Sequence, residues 1–385
     1  MGSLARRPDG RWRARYRDPD GRERAKHFSR KADGERFLAM IESSKLRGTY
    51  VDPSDRTTVA EYARRWASVR PYRPSTARRI DSQIRLHVEN TFLGSRRMAS
   101  VLPSDVQAWV TQLAAQLAPS TVELTVNMLK AIFAAAVLDR VVGSSPVVRL
   151  ALPKADKDRV VPLTVDQVLE LAETVPARTR AMVLTQAGLG LRLGELLALR
   201  QQDVNFLGRT ARVEHQLEDR TRARVDPKTP RSRRSVPLPQ FVADALARHM
   251  QQWPPLEDGS LFYGHNRRPY HHAFYGVRTF KVAVKKLAGE EGSTFPPSTT
   301  THDLRHHYAS VLLAGGESVV AVAERLGHDD ASMVLKVYGH LMPESEDRTR
   351  KIIDAAWSAT STEVTSVALG DPLTDSARTE RGQSS

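Results

Sequence analysis

Thr301-His-Asp-Leu-Arg-His-His-Tyr308 is the stretch that decides the fold and chemistry of this chain, together with three shorter pieces around it. His302 and Arg305 are three residues apart, so on a helix they share one face. His306 and His307 are adjacent and face apart, and no acidic cluster stands near them, so this histidine-rich segment does not read as a metal site. Upstream lies Gly188-Leu-Gly-Leu-Arg-Leu-Gly-Glu-Leu-Leu-Ala-Leu199. There Arg192 opens a helical run, and Glu195, one turn on, is able to hold its guanidinium. Downstream, Val319, Val322 and Leu326 form an inward stripe that ends in Glu324-Arg-Leu-Gly-His328. Gly327 is a natural helix stop, which puts His328 just past a helix end. Ten residues later, Val334-Leu-Lys-Val-Tyr-Gly-His340 sets Tyr338 after a short apolar run and before a glycine.

In this order the pieces resemble the signature of the tyrosine recombinases of the phage integrase family: an arginine in a GLRxGE-type box, then H-x-x-R, then L-G-H, then tyrosine in a Y-G-H-L context. Each box alone is weak, and four in the right order are specific. The resemblance covers roughly residues 55–357. The family also carries a lysine on a β-hairpin between the first two boxes, and Asp226-Pro-Lys-Thr-Pro-Arg-Ser-Arg-Arg-Ser-Val-Pro-Leu238 supplies Lys228 in the matching place. Gln201 stands where many members have Trp, a departure that touches packing rather than chemistry. The resemblance thus implies a catalytic set of Arg192, Lys228, His302, Arg305, His328 and the nucleophile Tyr338, with Glu195 in support.

The chemistry explains the residue types. A phosphodiester repels nucleophiles, and its transition state gathers charge on the non-bridging oxygens, which two guanidiniums can clamp. His302 and His328 add hydrogen-bond donors. A phenol of pKa ≈ 10 needs such a positive cluster to attack as a phenolate-like nucleophile. By resemblance Lys228 protonates the departing 5′-oxygen. The resulting 3′-phosphotyrosyl ester stores the bond energy, so the expected reaction uses no ATP, no metal and no other cofactor. Among competing tyrosines, Tyr308 lies within the H-x-x-R helix as a packing residue. Tyr263, Tyr270 and Tyr275 lie in a loop-rich stretch without the L-G-H prelude.

Composition agrees with a polyanionic partner. The chain has 58 Lys+Arg against 44 Asp+Glu, a formal net charge of +14. Absence of cysteine excludes disulfides, Cys-ligated zinc and iron–sulfur clusters. No run is read as a membrane span, and residues 1–10 lack the apolar core of a signal peptide. The expectation is a soluble protein of the bacterial cytoplasm, associated with the nucleoid.

Residues 1–50 hold 14 Lys/Arg and 7 Asp/Glu, half the net charge in about an eighth of the length. Arg11-Trp-Arg-Ala-Arg-Tyr-Arg17 alternates strictly, with Trp12, Ala14 and Tyr16 on one face of a strand and Arg11, Arg13, Arg15 and Arg17 on the other. After the turn at Asp18-Pro-Asp-Gly21, Arg22, Arg24 and Lys26 share a face of a second strand, expected to extend the same one-signed surface. Ser3 to Arg7 supplies a third strand, and Ser29 is the expected cap of a helix that turns Phe37, Leu38 and Ile41 inward. Gly48 to Arg56 reads as a linker. From 57 to 142 the pattern is helical, with Ser75, Ser104 and Ser120 at helix starts, and Arg64, Arg65, Arg78, Arg79 and Arg85 make this module basic. Pro146 to Lys157 is a second linker. Beyond it come helices Val165–Thr174 and Arg178–Ala187, strand-like pieces Ala211–His215 and Ser235–Leu238, and further helices.

The expected architecture is multidomain. A small three-stranded β-sheet plus helix (1–50) resembles an arm-type DNA-binding module. An all-α core-binding domain (57–145) precedes a mixed α+β, mainly α, catalytic domain of the DNA breaking-rejoining type (158–357), and 358–385 reads as a disordered tail. The resemblance implies a site-specific recombinase that integrates or excises a mobile element or phage genome. It acts on double-stranded DNA attachment sites, as a homotetramer in the synaptic complex, with the last two domains clamping DNA. An accessory excisionase or a host DNA-bending protein is a further candidate partner. Two rivals stand beside this. A type IB topoisomerase shares the chemistry, but the arm module and short length argue against it. A non-catalytic DNA-binding regulator would not keep all six catalytic residue types.

Overall fold

The computed structural model describes residues 2–357 apart from 20, 48, 49, 53, 155–159, 228, 340–348 and 352. Lys228, His340 and the tail 358–385 therefore lie outside the described residues. The chain divides into two compact units, 1–157 and 158–385.

The first unit opens with an antiparallel sheet of β1 (Ser3–Arg6), β2 (Trp12–Arg17) and β3 (Glu23–Phe28), in that order. α1 (Lys31–Leu46) packs on it, and Ala14, Tyr16, Phe37 and Ile41 are buried between them. Tyr50 joins this core, so this residue of the expected linker is part of the fold. The helical part comprises α2 (Val59–Ser68), α3 (Pro74–Ile84), α4 (Pro103–Ala114) and α5 (Pro119–Leu138), with a π-helical turn at Arg85–Glu89. Trp109 is fully buried at its centre and donates its indole N–H to the His87 carbonyl at 2.8 Å. Val147 is buried against the same core, and Gln107 exchanges two hydrogen bonds with Ala151, so the first half of the second expected linker is also packed.

Several sequence expectations need correction. Ser29 and Ser75, expected as caps, do not cap their helices, nor do α4 and α5 start at Ser104 and Ser120; the N-caps are Arg30, Arg73, Leu102 and Ala118. In the last three, a proline fills the first helical position, where its fixed φ is already helical and its missing N–H costs nothing, so each helix starts one residue before its serine. α5 is long and apolar enough to cross a membrane by length and composition alone, though Glu123, Asn127 and Lys130 interrupt its apolar residues. It is the core helix of its unit, with Val122, Val126, Leu129, Ile132 and Phe133 buried.

The basic face of the sheet is also smaller than expected. Residues directly paired across antiparallel strands share a face. Tyr16 pairs with Arg24, Ala14 with Lys26 and Trp12 with Phe28, so Arg24 and Lys26 lie on the α1 side. Opposite Arg13, Arg15 and Arg17 stand His27, Ala25 and Glu23 instead. The turn length fixes this register, and a shift of one residue would have exchanged the two sets. Arg22 precedes β3 and gives its backbone N–H to Asp18. Arg24 bonds Asp18 at 3.2 Å and Asp52 at 2.6 Å, and Lys26 sits over the Phe37 ring. In the helical part Arg64 is likewise occupied, by Glu89 and Asp81. Arg65 lies on the Tyr62 ring, while Arg79 and Arg85 are exposed and Arg78 is half-buried.

The second unit starts with α6 (Val165–Thr174), capped by the Thr164–Gln167 box, then α7 (Ala177–Leu189) and α8 (Leu193–Ala198). A sheet of β4 (Val204–Asn205), β5 (Thr210–Val213) and β8 (Arg234–Pro237) follows, interrupted by a hairpin of β6 (Gln216–Leu217) and β7 (Arg224–Val225). The rest is helical: α9 (Gln240–Gln252), a π-helical stretch running into α10 (Lys281–Ala288), α11 (Thr301–Ala314), α12 (Val319–Leu326) and α13 (Ser332–Tyr338). Leu184, Leu189, Leu196, Leu304, Val322 and Val334 share one core, and the faces that border it carry the site.

The two faces of the N-terminal sheet should separate by mutation. Arg24→Ala is expected to lower the melting temperature, because Asp18 and Asp52 lose their shared guanidinium. The Arg15→Ala, Arg17→Ala double variant is expected to melt with the parent. Differential scanning calorimetry of both variants checks this.

Candidate active site

The site is built where the C-terminal ends of α7 and α12 meet the N-terminal ends of α8 and α11. Gly190 terminates α7 at φ 61° and Gly327 terminates α12 at φ 65°, both left-handed conformations that L side chains rarely adopt. At Gly190 a Cβ would also run into the Tyr308 ring. These two stops aim backbone carbonyls at arginines. Arg305 is 1% exposed, and donates to the Gly190 carbonyl and the Leu326 carbonyl, each at 2.7 Å. Arg192, at the N-cap of α8, donates to the Gly327 carbonyl at 3.1 Å. Helix C-termini carry partial negative charge, so they accept guanidiniums that are withdrawn from water.

Glu195 is the carboxylate of the cluster. It accepts from the Arg192 side chain and backbone, both at 2.9 Å. It also accepts two hydrogen bonds from Arg234, at 2.9 and 3.2 Å. Arg234 donates as well to the carbonyls of Arg325 and Ser232, and its side chain is only 6% exposed. Burial alone would raise the pKa of Glu195, but the charges of Arg234 and then Arg192 outweigh it and hold the carboxyl below its usual range. Sequence reasoning placed Arg192 beside Glu195 and missed Arg234. Its signal is faint: an arginine that begins β8 within a run of basic residues, which reads as solvated.

His328 follows Gly327. Arg305 donates to its Nε2 at 2.8 Å. A guanidinium cannot accept, so Nε2 is the lone-pair nitrogen and the ring proton sits on Nδ1. That Nδ1 has no hydrogen-bond partner among the described residues. The pKa of His328 falls to about 4, first through burial, then through Arg305 and Arg192. His302 also falls to about 4, through its crowded surroundings and then His306 and Arg305, although its side chain keeps an exposed edge. Both rings are neutral at pH 7, each with one N–H to give.

Tyr338 ends α13 and is 3% exposed. Its hydroxyl lies 2.5 Å from His306 Nδ1. Burial raises its pKa to about 12, against a lowering by Arg305. His306 stands edge-on to His302, with ring centroids 4.7 Å apart. His307 points away into the core and bonds the Leu163 carbonyl. The structure thus gathers Arg192, Glu195, His302, Arg305, His328 and Tyr338 in one place. Tyr308, Tyr270 and Tyr275 are buried in the core, and Tyr263 gives its hydroxyl to the Pro254 carbonyl. Among the described residues no group of three His, Asp or Glu side chains is placed to hold a metal ion.

Known proteins place this geometry in context. Residues 158–345 match the phage integrase family, and residues 1–48 match the phage integrase N-terminal domain. The integrase of Mycobacterium phage D29 is 26% identical over 377 residues, covering 92% of this chain and 97% of the relative. The Tn1549 transposon integrase, solved in complex with a circular intermediate DNA, superposes with a TM-score of 0.68 at 25% identity, over 78% of this chain and 99% of that one. A lambda integrase tetramer bound to a Holliday junction shares the fold, with a TM-score of 0.56 at 17% identity, over 86% of this chain and 96% of that one.

Removing Arg234 leaves Glu195 buried with half its partners. Arg234→Ala is therefore expected to cost about 3 kcal/mol in urea denaturation at neutral pH. Glu195 has a depressed pKa, so its contribution is present above the unfolded-state value and is lost as pH falls through the folded one. The difference between parent and variant should accordingly shrink in acid. A difference that stays constant with pH would exclude Glu195 as the partner that matters.

Proposed function

The chain belongs to the phage integrase family of tyrosine recombinases, enzymes that break and rejoin DNA strands, and we propose that it does so through a covalent bond between Tyr338 and the 3′-phosphate at the break. The observation that supports this most is the convergence of two arginines, two neutral histidines and a buried phenol around the Gly327 turn. In this reading the scissile phosphate takes its place against Arg192 and the Arg305–His328 pair. The unpartnered Nδ1–H of His328 and an N–H of His302 donate to its oxygens. The guanidiniums offset the charge that grows there in the transition state. Tyr338 Oη attacks phosphorus, the bond to the 5′-oxygen breaks, and Lys228 supplies the proton to that oxygen. Attack by a 5′-hydroxyl of the partner strand then reverses the step and releases Tyr338, without ATP.

The substrate proposed is a pair of attachment sites on double-stranded DNA, brought together by four copies of the chain in the cytoplasm. Arg13, Arg15 and Arg17 on the free face of the N-terminal sheet, with Arg11 at its edge, would meet flanking DNA. Arg65, Arg79 and Arg85 would meet the core site. The second-site partners excisionase and DNA-bending protein belong to the same proposal.

The test is a suicide duplex carrying the crossover site. Tyr338→Phe is expected to bind it specifically and to form no covalent adduct, as read on a denaturing gel. Arg192→Ala should slow adduct formation by about 10²–10³. An adduct that persists in Tyr338→Phe would move the nucleophile elsewhere. An adduct on any duplex, regardless of site, would favour a topoisomerase.

A further inference from the structure

We propose that His306, outside the signature histidines, is the base that takes the proton from the attacking tyrosine. The inference rests on the reading of Tyr338 as nucleophile and extends it. Its geometry is direct. His306 Nδ1 lies 2.5 Å from Tyr338 Oη and is the hydrogen-bond partner of that hydroxyl among the described residues. In the proposed arrangement the phenol O–H donates, so Nδ1 holds the lone pair and the ring proton of His306 is on Nε2. His307 holds the opposite tautomer, since its Nδ1 faces the Leu163 carbonyl, which can only accept. Two adjacent histidines on opposite helix faces are thus set for different tasks, one structural and one aimed at the reacting oxygen.

A base is needed because the phenol does not ionise in advance. Burial holds Tyr338 near 12, so at neutral pH its proton leaves only as the oxygen attacks. The other acidic group nearby is engaged: Asp303 Oδ2 accepts from the backbone and hydroxyl of Thr300 at the start of α11. The groups that face His306 are His302, Asp303 and Arg305 on its own helix and Tyr338 from α13. Burial pushes its pKa below the usual histidine value, Asp303 raises it and Arg305 lowers it. The ring is neutral at pH 7 and ready to accept.

The step balances with groups already named. The Oη–H bond breaks and its proton goes to His306 Nδ1, which becomes an imidazolium. The Oη–P bond forms as the P–O5′ bond breaks, and the leaving oxygen takes the proton of the general acid. On rejoining, the 5′-hydroxyl attacks phosphorus, its proton returns to the acid, and Tyr338 Oη leaves and recovers the proton from His306.

The experiment is single-turnover cleavage of the suicide duplex by the full chain across a pH series, for the parent, His306→Ala and His306→Asn. Asparagine keeps an acceptor near the Nδ1 position and cannot carry off a proton. Melting curves and specific site binding in both variants establish that they fold. Both are expected to lose about 10²–10⁴ in cleavage rate at neutral pH. The parent's rate should fall in acid as Nδ1 becomes protonated, and that part of the fall should vanish in the variants. Added imidazole should partly restore His306→Ala. Parent-like cleavage by His306→Asn would overturn the assignment. So would a loss equal at every pH with no rescue by imidazole, which would make His306 a positioning residue. Tyr338→Phe in the same series reads the nucleophile separately: an adduct there removes the underlying assignment, whatever His306 does.

Discussion

Three guanidiniums crowded around a single carboxylate is the constraint on which the second unit is organised. Arg192, Arg234 and Arg305 repel one another, and two of their side chains are almost withdrawn from water. Withdrawn charges are costly unless each is paired and hydrogen-bonded. Glu195 answers two of them. The rest is met by main-chain carbonyls of Gly190, Leu326 and Gly327, which lie where α7 and α12 stop. The stops must be sharp and left-handed, so glycine occupies both. The cluster remains net positive after these contacts, and an entering phosphate diester removes part of that surplus. On the proposed mechanism, stability and catalysis therefore pull on the same groups.

The same arrangement explains the protonation states nearby. Positive charge and burial both disfavour imidazolium, which keeps His302 and His328 neutral and leaves each a single donor, placed on Nδ1 in His328 by its Arg305 contact. Tyr338 is subject to opposing influences. Burial raises its pKa and Arg305 lowers it, and burial prevails. The proposed nucleophile is thus stored as a phenol.

Much of this was legible in the sequence, because the chemistry needs particular residue types in a fixed order and helix-stop glycines mark their places. Arg192 next to Glu195, and His328 beyond Gly327, follow from spacing alone. What escaped was pairing across elements. Arg234 reaches Glu195 from a strand 39 positions away, and His306 meets Tyr338 across 32; no local pattern announces either. The N-terminal sheet shows a different limit. Alternation correctly separated Trp12, Ala14 and Tyr16 from the arginines between them. Which residues of β3 join each set depends on register, a property of the turn, and the even-numbered Arg24 and Lys26 fell in with the even-numbered core. Ser75 was mistaken for a cap because the preceding Pro74 begins the helix.

The order of the parts along the chain has a consequence for DNA in a cell. In the proposed mechanism the groups that grip phosphate lie on α8, α11 and the turn after α12, and Tyr338 is the final residue of α13. During synthesis every guanidinium leaves the ribosome before the phenol does. On that mechanism, a product broken off ahead of Ser332 would carry the grip without the blade. Whatever strand such a fragment met, it would leave whole, so incomplete translation would yield silent occupants of DNA rather than nicks.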